Sequence, residues 1–154
     1  MNNLLALKVP PVAQVAVSVA MMLFAKPDNL VVSSMQWGLA MLITVLGVYT
    51  AIAGVLAFKK AKTTVNPMTP DASSNLVNSG IYQLTRNPMY LGMLLIQIAL
   101  AVVLMTTTSL LCCLAFVFYM TAFQIKPEEQ ALSQLFGQEY QLYQRQVGRW
   151  FWKV

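Results

Sequence analysis

Read as apolar and polar positions, the chain falls into four long apolar runs, roughly residues 9–25, 35–58, 88–105 and 109–125. Each is continuous rather than alternating, and each reaches the about 17 residues tolerated where a helix crossing the hydrocarbon of a bilayer ordinarily has about 20. The pattern predicts an all-α membrane bundle of about four transmembrane helices, in a single domain over residues 1–154. Pro10 and Pro11 open the first run, where missing amide donors cost little. Only "TTTS" separates the third from the fourth, which predicts a tight antiparallel hairpin. In the tail, 126–154, Leu132, Leu135, Phe136, Tyr140, Tyr143 and Val147 recur at three- and four-residue steps. That spacing predicts an amphipathic C-terminal helix, broken near Gly137. No internal repeat is visible.

Composition sharpens this picture. The chain is 58% hydrophobic and 10% charged, with mean hydropathy +0.62, whereas soluble domains carry about 25% charged residues. An integral membrane protein follows. The net charge of +5 does not indicate nucleic acid, because the basic residues flank the apolar runs. Lys8, then Lys59, Lys60, Lys62 and Arg86, then Lys126, Arg145, Arg149 and Lys153 all fall on one side, and Lys26, offset by Asp28, stands alone on the other. Both termini and the 59–87 loop are therefore expected in the cytoplasm. "MMLFAKPDNL" offers no small-residue cleavage site, so no cleaved leader is expected. Cys112 and Cys113 are adjacent within an apolar run and read as small buried side chains. With no histidine in the chain, no metal site is expected.

Hairpin geometry carries the first functional inference. The third and fourth runs are nearly equal in length, so the start of one and the end of the other must lie at the same level. This joins "TRNPMY" (85–90) to "KPEEQAL" (126–132). Asn87 before Pro88 reads as a capped helix start, and Pro127 before Glu128 and Glu129 as a second one. Capping does not explain Arg86, since a cation at a helix N-terminus opposes the dipole. It calls for an anion, either Glu128 or Glu129 across the hairpin or a ligand's carboxylate or phosphate. The 59–87 loop is longer than ordinary connections. Its second half has apolar anchors in Leu76, Val77, Ile81, Tyr82 and Leu84, and Gly80 permits a tight turn. It is expected to fold over the hairpin mouth, with Tyr140 closing the pocket and "GRWFWKV" lying in the headgroup layer.

Without histidine, no Ser-His or Cys-His pair can form, and no glycine-rich phosphate loop is present. Hydrolysis and phosphoryl transfer are poorly served. An interfacial pocket with one Arg, two Glu, an Asn and several Tyr suits a zwitterionic, aromatic-bearing cofactor. Methyl transfer from S-adenosylmethionine, leaving S-adenosylhomocysteine, fits this inventory, because the sulfonium carries its own activation. A carboxylate acceptor would need no base. A thiol or amine would need one, and the glutamates or a tyrosine are the candidates.

"LVNSGIYQLTRNPMYLG" (76–92) and "EEQALSQLFGQEYQLYQRQVGRW" (128–150) together resemble the isoprenylcysteine carboxyl methyltransferase and phospholipid methyltransferase superfamily. Its signature is Arg-His/Asn-Pro-x-Tyr, a helical hairpin, then Glu-Glu-x-x-Leu. Arg86, Asn87, Pro88 and Tyr90 match the first part, and Glu128, Glu129 and Leu132 the second. The resemblance implies an integral membrane enzyme that binds S-adenosylmethionine at the cytoplasmic hairpin mouth and takes a lipophilic small molecule or lipid laterally from the membrane. It implies cofactor contacts from Val77, Gly80, Tyr82, Arg86, Asn87, Pro88, Tyr90, Glu128, Glu129, Leu132 and Tyr140, with Arg86, Tyr90, Glu128 and Glu129 nearest the chemistry. Asn87 stands where enzymes acting on prenylated cysteine typically carry His, and Asn cannot take a proton near neutral pH. The resemblance therefore implies a carboxylate, thiol or amine of a lipid-like or prenylated molecule as acceptor rather than prenylcysteine in particular. Relatives with Asn point to a bacterial inner (plasma) membrane. The alternatives are an NADPH-dependent reductase of the sterol-reductase type and a non-catalytic ligand-binding membrane protein. Gly38, Gly47 and Gly54 offer close helix contact within one chain or between two, so oligomeric state stays open.

Overall fold

The computed structural model describes residues 7–62 and 73–151. Residues 63–72 of the expected covering loop, and Trp152, Lys153 and Val154 of the tail, lie outside the described residues. The described chain is helical and without strands: α1 (Pro11–Phe24), α2 (Ser34–Lys60), a 3-10 turn (Gly80–Gln83), α3 (Pro88–Leu104), α4 (Thr107–Tyr119), a π-helical turn (Met120–Ile125) and α5 (Lys126–Gln146).

Local chemistry accounts for most of these boundaries. Pro11 occupies the first turn of α1, as expected. Ser33 and Gln36 form a reciprocal capping box at the start of α2: the Ser33 hydroxyl accepts from the Gln36 amide, and Gln36 Oε1 accepts from the Ser33 amide. The Gln36 side chain also donates to the Val102 carbonyl at 3.3 Å, which ties the start of α2 to the end of α3. Met105, in the left-handed conformation, ends α3, and the Thr106 hydroxyl caps α4. The hairpin turn is thus tighter than expected, since most of "TTTS" already belongs to α4.

Two helical stretches, Ser34–Lys60 and Thr107–Gln146, are long and apolar enough to cross a membrane. With 14 and 17 residues, α1 and α3 rise only about 21 and 25 Å, against a hydrocarbon layer of about 30 Å. Two of the four expected spans are therefore long enough to cross the full layer, while α3 stands at the tolerated minimum and α1 below it. Large side chains on α2, among them Met35, Trp37, Met41, Val45 and Tyr49, are exposed, which suits a helix facing lipid.

The expected second helix start at Pro127 does not occur. The chain runs from α4 through the π turn into α5 without a break. Pro127 has no amide hydrogen for the Phe123 carbonyl one turn back, and that carbonyl instead accepts from the Leu7 amide at 3.1 Å. The expected break at Gly137 is present: its φ of 52° and ψ of −122° divide α5 in two, a conformation open to glycine.

Antiparallel α2 and α3 pack backbone to backbone. A Cβ placed on Gly92 would lie 2.5 Å from the Gly47 carbonyl oxygen and 2.8 Å from Ala51 Cβ, and one on Gly54 would meet Met89 at 2.9 Å. Gly38 makes no such contact. Buried Met22, Tyr90, Leu94, Phe116, Met120 and Ile125 form the core where α1, α3 and α4 meet. Cys112 and Cys113 are free and buried. A second cluster of Val77, Tyr82, Tyr140, Tyr143 and Val147 lies over the open end of the hairpin.

Candidate functional site

The hairpin brings the start of α3 and the start of α5 side by side. The Tyr90 hydroxyl donates to Glu128 Oε1 at 2.6 Å, and Arg86 Nη1 lies 3.1 Å from Glu129 Oε1. Covering this junction is the segment before α3. It is held at the C-terminal end of α2, where Asn75 Nδ2 donates to the Ala61 carbonyl and the Ser74 hydroxyl to the Lys62 carbonyl. At the other end, the Tyr143 hydroxyl donates to the Tyr82 carbonyl at 2.6 Å. Gly80 turns at φ 61°, and Tyr82, packed on Phe58, is directed inward.

A cavity of about 70 Å³ lies at this junction. Val77, Tyr82, Arg86, Asn87, Tyr90, Glu128, Glu129, Leu132 and Tyr140 line it, joined by Leu76, Met89, Ile125 and Tyr143. Two residues expected at the site lie off the cavity wall. Gly80 shapes the covering turn, and Pro88 is buried against Gly54.

The two glutamates have different surroundings. Glu129 is buried and takes a bidentate pair from Arg149, with Nε to Oε1 at 2.9 Å and Nη2 to Oε2 at 2.7 Å. Glu128 has no cationic partner among the described residues. Its Oε1 accepts from both Tyr90 and Gln124. Burial pushes the Glu128 carboxyl from an ordinary 4.5 up to about 7, against the lowering effect of those two hydrogen bonds and with the Glu129 charge adding to the rise. Burial likewise raises the phenols of Tyr82, Tyr143 and Tyr140, the last to about 12.

The Glu128 shift has a measurable consequence. A carboxyl whose folded value is raised contributes its stability in full below the unfolded value and loses it as pH climbs through the folded one. The thermal midpoint of the ligand-free protein should therefore fall as pH rises from 4.5 through about 7, and Glu128→Gln should remove that part of the slope. An equal slope in the variant would place the titration elsewhere.

Arg86 is the other unusual group. Its side chain is only 10% exposed, its Nε is buried with no partner, and its buried Nη1 makes ion-pair contact with Glu129 without forming a hydrogen bond. Buried donors of a cation are rarely left so. They are suited to a second anion beyond Glu129.

Sequence reasoning missed the return of the tail. The Arg86 amide donates to the Gly148 carbonyl at 3.0 Å, and the Arg149 carbonyl accepts from Asn87 Nδ2 at 2.9 Å and Thr85 Oγ1 at 3.2 Å. Asn87 does not cap α3 with its side chain, contrary to expectation; its Nδ2 is instead directed to the Arg149 carbonyl. Trp150 donates to the Thr121 hydroxyl at 3.1 Å and packs against the core. Residues 148–150 thus strap the site instead of lying free in the headgroup layer.

This arrangement, an apolar hairpin with Arg-Asn-Pro-x-Tyr at one foot and Glu-Glu-x-x-Leu at the other, falls within residues 35–139, which a family model described as phospholipid methyltransferase matches. The chain belongs to the phospholipid methyltransferase family. The match covers well over half of the sequence, from the first turn of α2 to the second half of α5, and places the chain in the superfamily that its motifs resemble. Phospholipid methyltransferase membership makes methyl transfer its general activity, and together with the two long apolar helices it indicates a membrane protein. No curated protein and no solved structure matches the chain.

Proposed function

We propose that this protein transfers a methyl group from S-adenosylmethionine to a lipophilic acceptor bearing a carboxylate, thiol or amine. The observation that carries this reading is the buried Arg86 guanidinium, whose Nε has no partner and whose Nη1 touches Glu129 without a hydrogen bond, at a cavity whose other polar lining is two carboxylates, Asn87 and tyrosines. Those donors suit the cofactor's carboxylate. Glu128, with no cation of its own, suits an ammonium or ribose hydroxyl, and the faces of Tyr82 and Tyr140 suit the sulfonium or the adenine ring. The chemical fit is good. The volume is that of a closed seat: about 70 Å³ is well below the about 300–1,000 Å³ of small-molecule sites, so ligand entry requires the covering segment and the second half of α5 to move outward. Gly137 stands at the start of the second half of α5, and Gly80 within the covering segment.

When bound, the cofactor supplies a methyl group already activated toward a nucleophile. The protein's share is alignment and exclusion of water. Arg86 would orient the amino-acid end, and Tyr82, Tyr140 and Val77 would cover the nucleoside. Glu128 would hold a proton released by an amine or thiol acceptor, a role suited to a carboxyl that titrates near neutrality. The acceptor would arrive from the membrane between helices. The whole of 1–154 acts as one domain in this reading, with four spans, both termini in the cytoplasm and the site at the cytoplasmic face of a bacterial inner membrane. A reporter fused after Val154 should then be active only on the cytoplasmic side, and activity on the far side would invert the arrangement.

Calorimetry on the detergent-solubilised protein tests the cofactor. Micromolar binding of S-adenosylhomocysteine without a response to NADPH is expected. Binding of NADPH alone would select a reductase, and nucleoside binding with no methyl transfer to any lipid fraction would select a non-catalytic binding protein.

A further inference from the structure

Arg149 lies outside the stretch that the family model matches and outside the cavity lining. It borders a polar groove on the other side of Glu129, with Lys126, Ser133 and Gln144. Its main chain is fixed independently of its side chain, through the carbonyl that accepts from Thr85 and Asn87. Two guanidiniums face the single Glu129 carboxylate. Arg149 holds it in fork geometry, with bonds of 2.9 and 2.7 Å to the two oxygens. Arg86 approaches Oε1 from the cavity side at 3.1 Å, with no hydrogen bond formed at Nη1. The better-aligned arginine is therefore the one that does not reach the cavity. The edge between a carboxylate's two oxygens takes one planar fork; Arg149 has taken that edge of Glu129, and only an outer lone pair of Oε1 is left toward Arg86.

We propose that Arg149 is a positioning residue: by holding the open edge of Glu129 it keeps the Arg86 donors free for the carboxylate of a bound nucleoside amino acid. Without Arg149, the Glu129 carboxylate turns onto Arg86, closes a fork pair within the cavity, and competes with the ligand for the same donors. The inference rests on the cofactor reading above and adds a residue that acts on the cofactor only through Glu129.

The test compares two nucleosides. S-adenosylhomocysteine carries the amino-acid end, and 5′-methylthioadenosine lacks it. Calorimetry should show Arg149→Gln weakening the first by at least about tenfold, the scale of a lost charge-assisted hydrogen bond, and leaving the second nearly unchanged. Arg149→Lys keeps the charge without the fork and should show the same loss of preference to a smaller degree, in a protein that melts like wild type. In a Glu129→Gln background the Arg149→Gln change should have no further effect, because its route is gone. Equal weakening of both nucleosides, or an undiminished preference in both Arg149 variants, would overturn the assignment. Wild-type protein binding neither nucleoside would remove the cofactor reading and this inference with it. Wild-type binding with unchanged variants would remove this inference alone.

Discussion

Arg86→Ala should lower the affinity for S-adenosylhomocysteine by at least about thirtyfold and leave the ligand-free protein at least as stable as wild type. The two halves of this expectation have one cause. In the ligand-free fold Arg86 is a nearly buried cation whose Nε reaches no acceptor and whose Nη1 makes ion-pair contact with Glu129 without a hydrogen bond, and a buried donor left unsatisfied costs about 1–3 kcal/mol. Removing it does not strand Glu129, which keeps its bidentate partner Arg149. In the liganded protein the same substitution removes a charge-assisted pair, worth about 2–5 kcal/mol when truncated on one side. Arg145→Ala is the control, since Arg145 is exposed and makes no ion pair among the described residues. Calorimetry and a thermal melt on each variant are sufficient. Unchanged affinity in Arg86→Ala would take the anion seat away from this residue.

Gly92→Val should be among the most damaging single changes in the chain, at about 3 kcal/mol or more, and Gly38→Val nearly neutral. At Gly92 a Cβ would sit 2.5 Å from the Gly47 carbonyl oxygen and 2.9 Å from the Ala51 amide nitrogen. Both are backbone atoms of α2, so no rotamer change can relieve the contact. Only separation of α2 from α3 can. That separation would carry Asn87 and Tyr90, at the start of α3, away from Glu128. Yield of monodisperse protein and melting temperature in detergent read out the first effect, and nucleoside affinity the second. A Gly92→Val protein that melts like wild type would mean that the two helices are farther apart than the structure places them.

How far the sequence exposed this design depends on the feature. Matched lengths on either side of a short turn were enough to bring residues 85–90 and 126–132 to one level, because helix rise is nearly invariant, but not to choose between Glu128 and Glu129 as the partner of Arg86. The covering role of Val77 and Tyr82 was legible because apolar side chains in a polar loop need somewhere to be buried. Asn87 misled, because the same amide suits a cap or a distant carbonyl, and local sequence does not reveal which partner arrives. Arg149 was read as a headgroup cation because periodicity ends at Val147 and carries no information on where the chain turns next. The importance of Gly92 resides in its neighbour: Gly47 offers a contact point in the sequence, but nothing local shows which residue of the opposing helix meets it. The unbroken passage through Pro127 was hidden for a related reason. The donor that satisfies Phe123 comes from Leu7, far away in sequence.

The π-helical turn at Met120–Ile125 sets the phase of everything that follows it. Such a turn amounts to one surplus residue in an otherwise regular helix, and each residue advances the helix by about 100°. Take that residue away and Glu128 and Glu129 swing about a quarter of a revolution from Tyr90 and Arg86, while α4 keeps its packing. The aim of both carboxylates is therefore fixed by an insertion inside the membrane-facing hairpin rather than by anything in the motif that contains them.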